Sequence, residues 1–322
     1  MDLGELSTLL VVGATTAYAI GFVAFAFDLA HLVDRVGRPA ARLAADASDG
    51  GGVREAGGTT VIAAPADAVP HRRAVGIAMA TTTLGLAFHG VGLLLRGLAA
   101  GRVPWANMYE FTVVGTFVAV ATFLVLTRWR DVRFLGTIVV GLVVVALGLG
   151  LTVFYVAAEG VQPALQSYWL VIHVSIATSA TGMLTVSFAA SALQLLKDSR
   201  EQGMARLLGP RWRALDALPA PRELEALSFR ITAVGFVLWT FTVMAGAIWA
   251  EHTWGRYWGW DPKEVWSFVV WVVYAAYLHA RTTVGWSGRR AAWFVIVGYA
   301  TVIANFTLVN LFFSGLHAYS GL

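Results

Sequence analysis

Residues 249–271 read WAEHTWGRYWGWDPKEVWSFVVW, a stretch that holds six of the thirteen tryptophans and joins two apolar segments. The segment before it, near 231–250, is long enough to cross a membrane as a helix, and the one after it, near 265–280, is shorter. Tryptophan is common where such helices meet the lipid headgroups. The stretch therefore predicts a helical membrane protein and marks one end of its bundle.

A membrane interface explains only half of these tryptophans. It accounts for Trp249, Trp266 and Trp271. The other three share a short loop with two glycines and an Asp–Pro pair, and these are Trp254, Trp258 and Trp260. Flat indoles on such a loop would form a shelf for a large planar apolar ligand. On composition alone, that reading and an ordinary interfacial loop are about equally favoured.

The composition of the whole chain points to the same class of protein. Hydrophobic residues make up 58% of the 322 residues and charged residues 13%, whereas a soluble domain carries about a quarter charged residues. Because no cysteine is present, disulfides, thiolate metal sites and cysteine nucleophiles are excluded. We predict an all-α, polytopic bundle of about eight spans, near 7–27, 76–98, 108–127, 134–156, 167–195, 231–250, 265–280 and 291–313.

The basic residues predict how the bundle is oriented. Nineteen of the twenty-three fall in alternate loops, near 28–75, 128–133, 197–230 and 281–290. By the positive-inside rule these loops are cytoplasmic, so both termini and the tryptophan-rich loop are extracytoplasmic. The positive net charge of the chain is therefore explained by its membrane topology. We do not interpret it as a sign of nucleic-acid binding, and we expect no nucleic-acid partner.

The chain divides into two parts in this interpretation. Residues 1–75 hold the first transmembrane helix and a cytoplasmic loop, whose glycine-rich part, 37–70, reads as a flexible linker. Residues 76–322 form the transmembrane core, with its external loop at about 249–271.

WGRYWGWDPKEVWSF, at 254–268, closely resembles the tryptophan-rich "WWD" signature of haem-handling membrane proteins. The chain looks like the CcsA/ResC family of cytochrome c biogenesis proteins, whose members are named CcsB in some bacteria. The resemblance runs from about residue 76 onward and includes PWANMYEF at 104–111, QSYWLVIHV at 166–174 and LVNLFFSGLHAY at 308–319. Residues 1–75 carry no motif that matches.

Two histidines stand at the predicted outer face, His173 in the fifth span and His317 beyond the eighth. Most lone histidines at helix ends only bond a carbonyl or water, but two imidazoles beside a tryptophan shelf would also suit haem iron. The resemblance implies the second role, as ligands to the iron of haem b, bound non-covalently and transiently.

The other histidines divide by their predicted depth. His279, near the cytoplasmic end of the seventh span, is either an interfacial side chain or, as the resemblance implies, a ligand to haem that enters through the membrane. The second ligand to that haem would come from a companion subunit or from His89. For His89, in the second span, a structural bond to a neighbouring helix is equally favoured. His252, His31 and His71 read as solvated.

Charged residues of the tryptophan-rich loop offer further candidates. Asp261, followed by Pro262, predicts a helix N-cap, although it could instead bond a polar edge of the ligand. Arg256 and Lys263 are candidates to pair with haem propionates. Glu110, in the first external loop, is expected to brace the tryptophan-rich loop.

The resemblance implies a protein that presents haem on the extracytoplasmic face for covalent attachment to apocytochrome c bearing a Cys-x-x-Cys-His motif. It also implies that the protein acts within a haem–apocytochrome c lyase complex, together with a CcsB/ResB-type membrane subunit. That complex would lie in a bacterial plasma membrane or a thylakoid membrane. Two alternatives stay open. One is a b-type electron-transfer cytochrome, which would need paired histidines at matched depth, and the other is a small-solute transporter, which would need charges within its spans.

Overall fold

A computed structural model of the chain describes residues 1–48, 73–160, 167–203 and 210–317. Within these ranges the chain is helical, with no β-strand, which confirms the predicted all-α class. The α-helices are α1 Leu3–Ser48, α2 Arg73–Ala100, α3 Met108–Trp129, α4 Gly136–Thr152, α5 Tyr168–Glu201, α6 Pro221–Trp254, α7 Pro262–Thr283, α8 Arg289–Phe306 and α9 Leu308–Phe312. Short 3-10 helices lie at Arg133–Leu135 and Pro210–Ala217.

Seven stretches in the described part are long and apolar enough to cross a membrane. They are α1, whose apolar part is Leu3–Ala30, α2 to α6, and α8 together with α9. The eighth predicted span corresponds to α7, which has 22 residues but is not apolar enough to be counted with the others. At 1.5 Å per residue α7 is about 33 Å long, which is enough to traverse the bundle.

Contacts at its two ends show that α7 does run from one end of the bundle to the other. Asp261, just before α7, is hydrogen-bonded to His317, which follows α9. Arg281, in the last turn of α7, forms an ion pair with Glu225 in the first turns of α6. The described part of the chain therefore contains eight traversing helices, in agreement with the predicted number, and seven of them are apolar enough to be counted as spans by hydropathy.

The first helix is longer than the sequence suggested. The linker was predicted to begin at residue 37, whereas α1 continues to Ser48. Residues 40–48, AARLAADAS, are rich in alanine with leucine and arginine, which are strong helix formers, and this outweighs the cost of Pro39. The rest of the predicted linker, from 49 to 70, lies outside the described residues.

The loops that carry the predicted site gather at one end of the bundle, which we call the tryptophan end. Trp105, after α2, shares a cavity wall with Trp249 and His317. The chain start lies at the same end, because a Cβ on Gly4 would be 3.5 Å from the Cβ of Ala158 in the α4–α5 loop. This grouping agrees with the predicted sidedness of the loops, while the side of the membrane stays a prediction.

Small residues let the central helices pack closely, as is common in membrane bundles. In α5, a Cβ on Gly182 would lie 2.9 Å from the backbone nitrogen of Ala119 in α3. Further along α5, Ser187 is hydrogen-bonded to Ser228 and Thr232 of α6, and all three side chains are buried. Close packing of this kind fixes α5 and α6, the two helices that present His173 and Trp249.

Candidate functional site

A cavity of about 270 Å³ opens among α3 to α8 at the tryptophan end. Along α5 its wall extends from Leu170 to Thr185, which is about 22 Å of helix. Most of the wall is apolar, as in sites for planar organic ligands. The polar side chains that reach it include His173, Lys263, Tyr299, Asn305, Asn310 and His317.

His173 projects from α5 into this cavity. Its Nδ1 donates a hydrogen bond to the backbone oxygen of Thr242 in α6, at 2.9 Å, and its ring stacks on Trp249 with centroids 6.2 Å apart. Gly246 makes room for the ring, because a Cβ there would lie 2.7 Å from the Cε1 of His173. The imidazole is thereby fixed in orientation, and its proton is fixed on Nδ1.

His317 reaches the same cavity from the turn after α9. Its Nδ1 donates to Oδ1 of Asp261 at 2.8 Å, and its ring centroid lies 5.6 Å from that of Trp249. Asp261 also accepts hydrogen bonds from the backbone nitrogens of Lys263 and Leu316. Burial raises the pKa of Asp261, but the hydrogen bond and charge of His317 and the two backbone donors outweigh it and lower the pKa to about 2.

The two imidazoles therefore share one arrangement. A neutral imidazole that donates from Nδ1 keeps its lone pair on Nε2, which is the atom that binds iron. Metal-binding histidines usually donate their other nitrogen to a carboxylate or a backbone carbonyl, as His317 and His173 do. Each of the two side chains thus has the donor atom and the supporting hydrogen bond expected of a ligand to haem iron.

The predicted cap of α7 is present. The side chain of Asp261 accepts from the backbone of Lys263, and Glu264 accepts at 3.0 Å from the backbone nitrogen of Asp261, so the two form a capping box. Glu264 also accepts from the backbone nitrogen of Gly259 at 2.8 Å. Asp261 therefore caps the helix, as predicted, and also holds His317 in place.

The three loop tryptophans occupy different positions. Trp258 lines the cavity, and Trp254 packs edge-on against His317 with ring centroids 5.0 Å apart. Trp260 is 76% exposed and has a φ of 59°, a conformation that tryptophan rarely adopts. The three tryptophans therefore do not form one flat shelf. Trp258 lines the cavity, Trp254 supports His317, and Trp260 faces outward.

The two cations predicted for propionates also differ in position. Arg256 lies against Gly259, where an added Cβ would overlap the guanidinium group, and its Nη1 is 3.6 Å from Oε1 of Glu264. It braces the loop and does not line the cavity. Lys263 does line the cavity, and its Nζ donates to the backbone oxygen of Asn305 at 2.7 Å and to Oδ1 of Asn310 at 3.0 Å.

The remaining histidines lie away from this cavity. His89 is buried in α2, where its Nδ1 is 3.2 Å from the hydroxyl of Tyr18 in α1 and its ring packs against Phe117 in α3. His279 is exposed on α7, two residues from Arg281 at the opposite end of the bundle. His252 is exposed, as predicted. His71 and the side chain of His31 lie outside the described part.

Glu110 holds the cavity wall in a way that the sequence did not reveal. This fully buried carboxylate accepts from Arg96 at 3.0 Å, from Arg102 at 2.7 Å and from the backbone of Ala106 at 2.8 Å. Arg96 in turn donates to the backbone oxygen of Val156. Glu110 therefore ties the α2–α3 loop to the α4–α5 loop, and it was expected to brace the tryptophan-rich loop instead.

A family model described as "Cytochrome C assembly protein" matches residues 105–317. Curated relatives include the cytochrome c biogenesis protein CcsA of Synechococcus sp. (strain CC9605), which is 33% identical over 253 residues that cover 70% of this chain and 81% of that protein. CcsA of Synechococcus sp. (strain RCC307) is 35% identical over 246 residues, with coverage of 70% and 79%.

Among solved structures the fold is similar to that of a cytochrome c heme lyase, CcmF, with a TM-score of 0.63. The two sequences are 17% identical, so this likeness concerns the fold alone. The match covers 95% of this chain and 47% of that one, so the chain spans about half the length of that protein.

Proposed function

The chain belongs to the cytochrome c assembly protein family, and we propose that it binds haem b non-covalently in the cavity and presents it for covalent attachment to apocytochrome c. His173 and His317 would ligate the iron. The observation that most directly supports this is that both imidazoles line one cavity. In each of them Nδ1 is hydrogen-bonded to an oxygen of the protein, which leaves Nε2 for the iron. Haem is the cargo here, released when the cytochrome takes it.

Covalent attachment needs little chemistry from this chain. Each thiol of a Cys-x-x-Cys-His motif adds across one haem vinyl group, so that the S–H bond breaks, a C–S bond forms, and the hydrogen passes to the other vinyl carbon. Histidine ligands hold the iron until the histidine of the substrate replaces one of them. The chain would act by positioning the reactants and keeping water from the site, with Trp258 and the apolar wall on one side.

We further propose that the tryptophan end is extracytoplasmic and that a CcsB/ResB-type membrane subunit completes a haem–apocytochrome c lyase complex. The exposed outer ring of Trp260 suits contact with a partner. The exposed position of His279 on α7 suits a second haem whose other ligand is supplied by that subunit. His89 is held by Tyr18 and Phe117, which favours a structural role for it.

One measurement in cells tests this function. Cytochrome c maturation, scored by haem stain after denaturing electrophoresis, is expected to be lost in His173→Ala and His317→Ala. His252→Ala is the matched control, because it removes an exposed histidine of the same end and is expected to leave maturation near normal. A His173→Ala/His317→Ala double variant that matures cytochromes fully would overturn the assignment.

A further inference from the structure

The cavity wall carries the amine of Lys263, which forms no ion pair within the described part of the chain. The ammonium group of Lys263 donates to a backbone oxygen and to an amide oxygen, and in the described part it has no carboxylate within ion-pair distance. The nearby carboxylates are committed elsewhere, Asp261 to His317 and Glu264 to Arg256. A partly buried charge without a counter-ion is costly, so this position favours an anionic ligand.

The place of Lys263 in its helix adds to the positive potential. It is the second residue of α7, where the helix dipole is positive and where acidic side chains are preferred. Asp261 uses its oxygens for the helix cap and for His317. Glu264 uses Oε2 for the backbone of Asp261, and its Oε1 forms the ion pair with Arg256 at 3.6 Å. Lys263 at this position therefore makes the cavity wall suited to bind a negatively charged group of a ligand.

Asn305 is a second and independent sign of a missing ligand. Its side chain is 5% exposed and lines the cavity, and its Oδ1 has no hydrogen-bond partner among the residues that the structure describes. Its Nδ2 is 3.3 Å from the Oγ of Ser267. The two ends of an amide can exchange places, and in the turned orientation Ser267 donates to Oδ1 while both Nδ2 hydrogens are free. A ligand carboxylate would accept them.

We propose that Lys263 and Asn305 form a carboxylate subsite in the cavity wall that takes the propionate groups of the porphyrin. This inference rests on the proposed function and deepens it, because it assigns an orientation to the bound haem. In protoporphyrin the two propionates leave one edge of the ring and the vinyl groups leave the other pyrroles. Holding the propionates at α7 and α8 would turn the vinyl groups away from Lys263, so that each thiol meets a defined vinyl carbon.

The test compares two porphyrins on the full chain purified with its companion subunit and freed of haem. Haemin and haemin dimethyl ester are titrated by Soret absorbance. Because the ester lacks the negative charges but keeps the iron, wild type is expected to bind haemin at least tenfold more tightly. Lys263→Met and the isosteric Asn305→Asp are expected to bring the two affinities close together, while their affinity for the ester stays near that of wild type.

Controls separate this subsite from haem binding itself. Lys197→Met removes the other lysine of the chain, whose charge is paired with Glu201, and it should keep the preference for haemin. Equal binding of both porphyrins by wild type would overturn the subsite and leave haem binding intact. Equal loss of both porphyrins in Asn305→Asp would also overturn it, by showing a structural role. Binding of neither porphyrin by wild type would contradict the proposed function and the subsite together.

Discussion

His317 donates its Nδ1 proton to Oδ1 of Asp261 at 2.8 Å, although 56 residues separate the two in the sequence. The same carboxylate caps α7, so the helix that begins at Pro262 and the turn that follows α9 are fixed to each other at one point. An imidazole held in this way cannot turn freely, because its Nδ1 is fixed against the carboxylate. This contact couples the fold of the loop to the chemistry of the site.

Asp261→Asn tests that coupling. Asparagine still caps a helix well, but it keeps one acceptor oxygen where the carboxylate serves His317, Lys263 and Leu316. We expect haem affinity to fall about 10–100-fold, the usual effect of removing the partner of a metal-binding histidine. Soret titration of the purified complex measures it. Unchanged affinity would mean that Asp261 acts only as a cap.

Acid stability should report the charge of Asp261. Its pKa is lowered to about 2 in the folded protein, below the unfolded value of about 3.9. The ionised carboxylate therefore stabilises the fold above about pH 4 by about 2 to 3 kcal/mol, and this contribution is lost as the pH falls from about 4 to about 2.

The free energies of unfolding of wild type and Asp261→Asn, followed by circular dichroism in detergent without haem, should thus differ at pH 5, where Asp261 is ionised. The difference should shrink only below about pH 4. A difference that collapses between pH 7 and pH 5 would show that another group controls the contact.

Gly246→Ala should disturb His173 without removing it. The new Cβ would lie 2.7 Å from Cε1 of the imidazole, so the ring must shift away from its bond to Thr242. We expect haem occupancy to fall nearly as far as in His173→Ala, as measured by pyridine haemochrome. Gly148→Ala in α4 is the matched control, because an added Cβ there would meet no described atom within 4 Å other than those of its own turn of helix. Equal occupancy in the two glycine variants would contradict the placement of His173.

Glu110→Gln should destabilise the tryptophan end. It leaves Arg96 and Arg102 without their carboxylate, and loss of one partner of a buried ion pair costs about 3 kcal/mol or more. Thermal unfolding in detergent is the measurement. Asp131→Asn breaks the exposed pair with Arg133 and should cost less than about 1 kcal/mol. Similar costs for the two variants would show that the buried network contributes little.

Local chemistry explains which features could be predicted from the sequence. Apolar length gave the spans, and Asp261-Pro262 gave the helix cap, because both depend on neighbours in the chain. The shared cavity of His173 and His317 agrees with their predicted sidedness and with the family motif. The seventh span was predicted to be short, near 265–280, whereas α7 has 22 residues, and contacts at both its ends reveal its course.

The parts that could not be predicted depend on contacts between distant segments. Asn305 looks like an ordinary polar residue of α8, and only its burial and unpaired oxygen mark it. The arginine partners of Glu110 and the space above Gly246 likewise appear only once helices pack. Arg256 carries the same charge as Lys263, yet Gly259 lets it fold back under the loop and away from the cavity.

The most direct test of haem binding at His173 and His317 is the reduced-minus-oxidised visible spectrum of the purified complex, with pyridine haemochrome for quantity. Wild type is expected to show a low-spin b-type spectrum, and His173→Ala and His317→Ala are expected to lose it while remaining folded. A folded complex that carries no haem, or one whose low-spin spectrum persists when both histidines are replaced, would contradict the account.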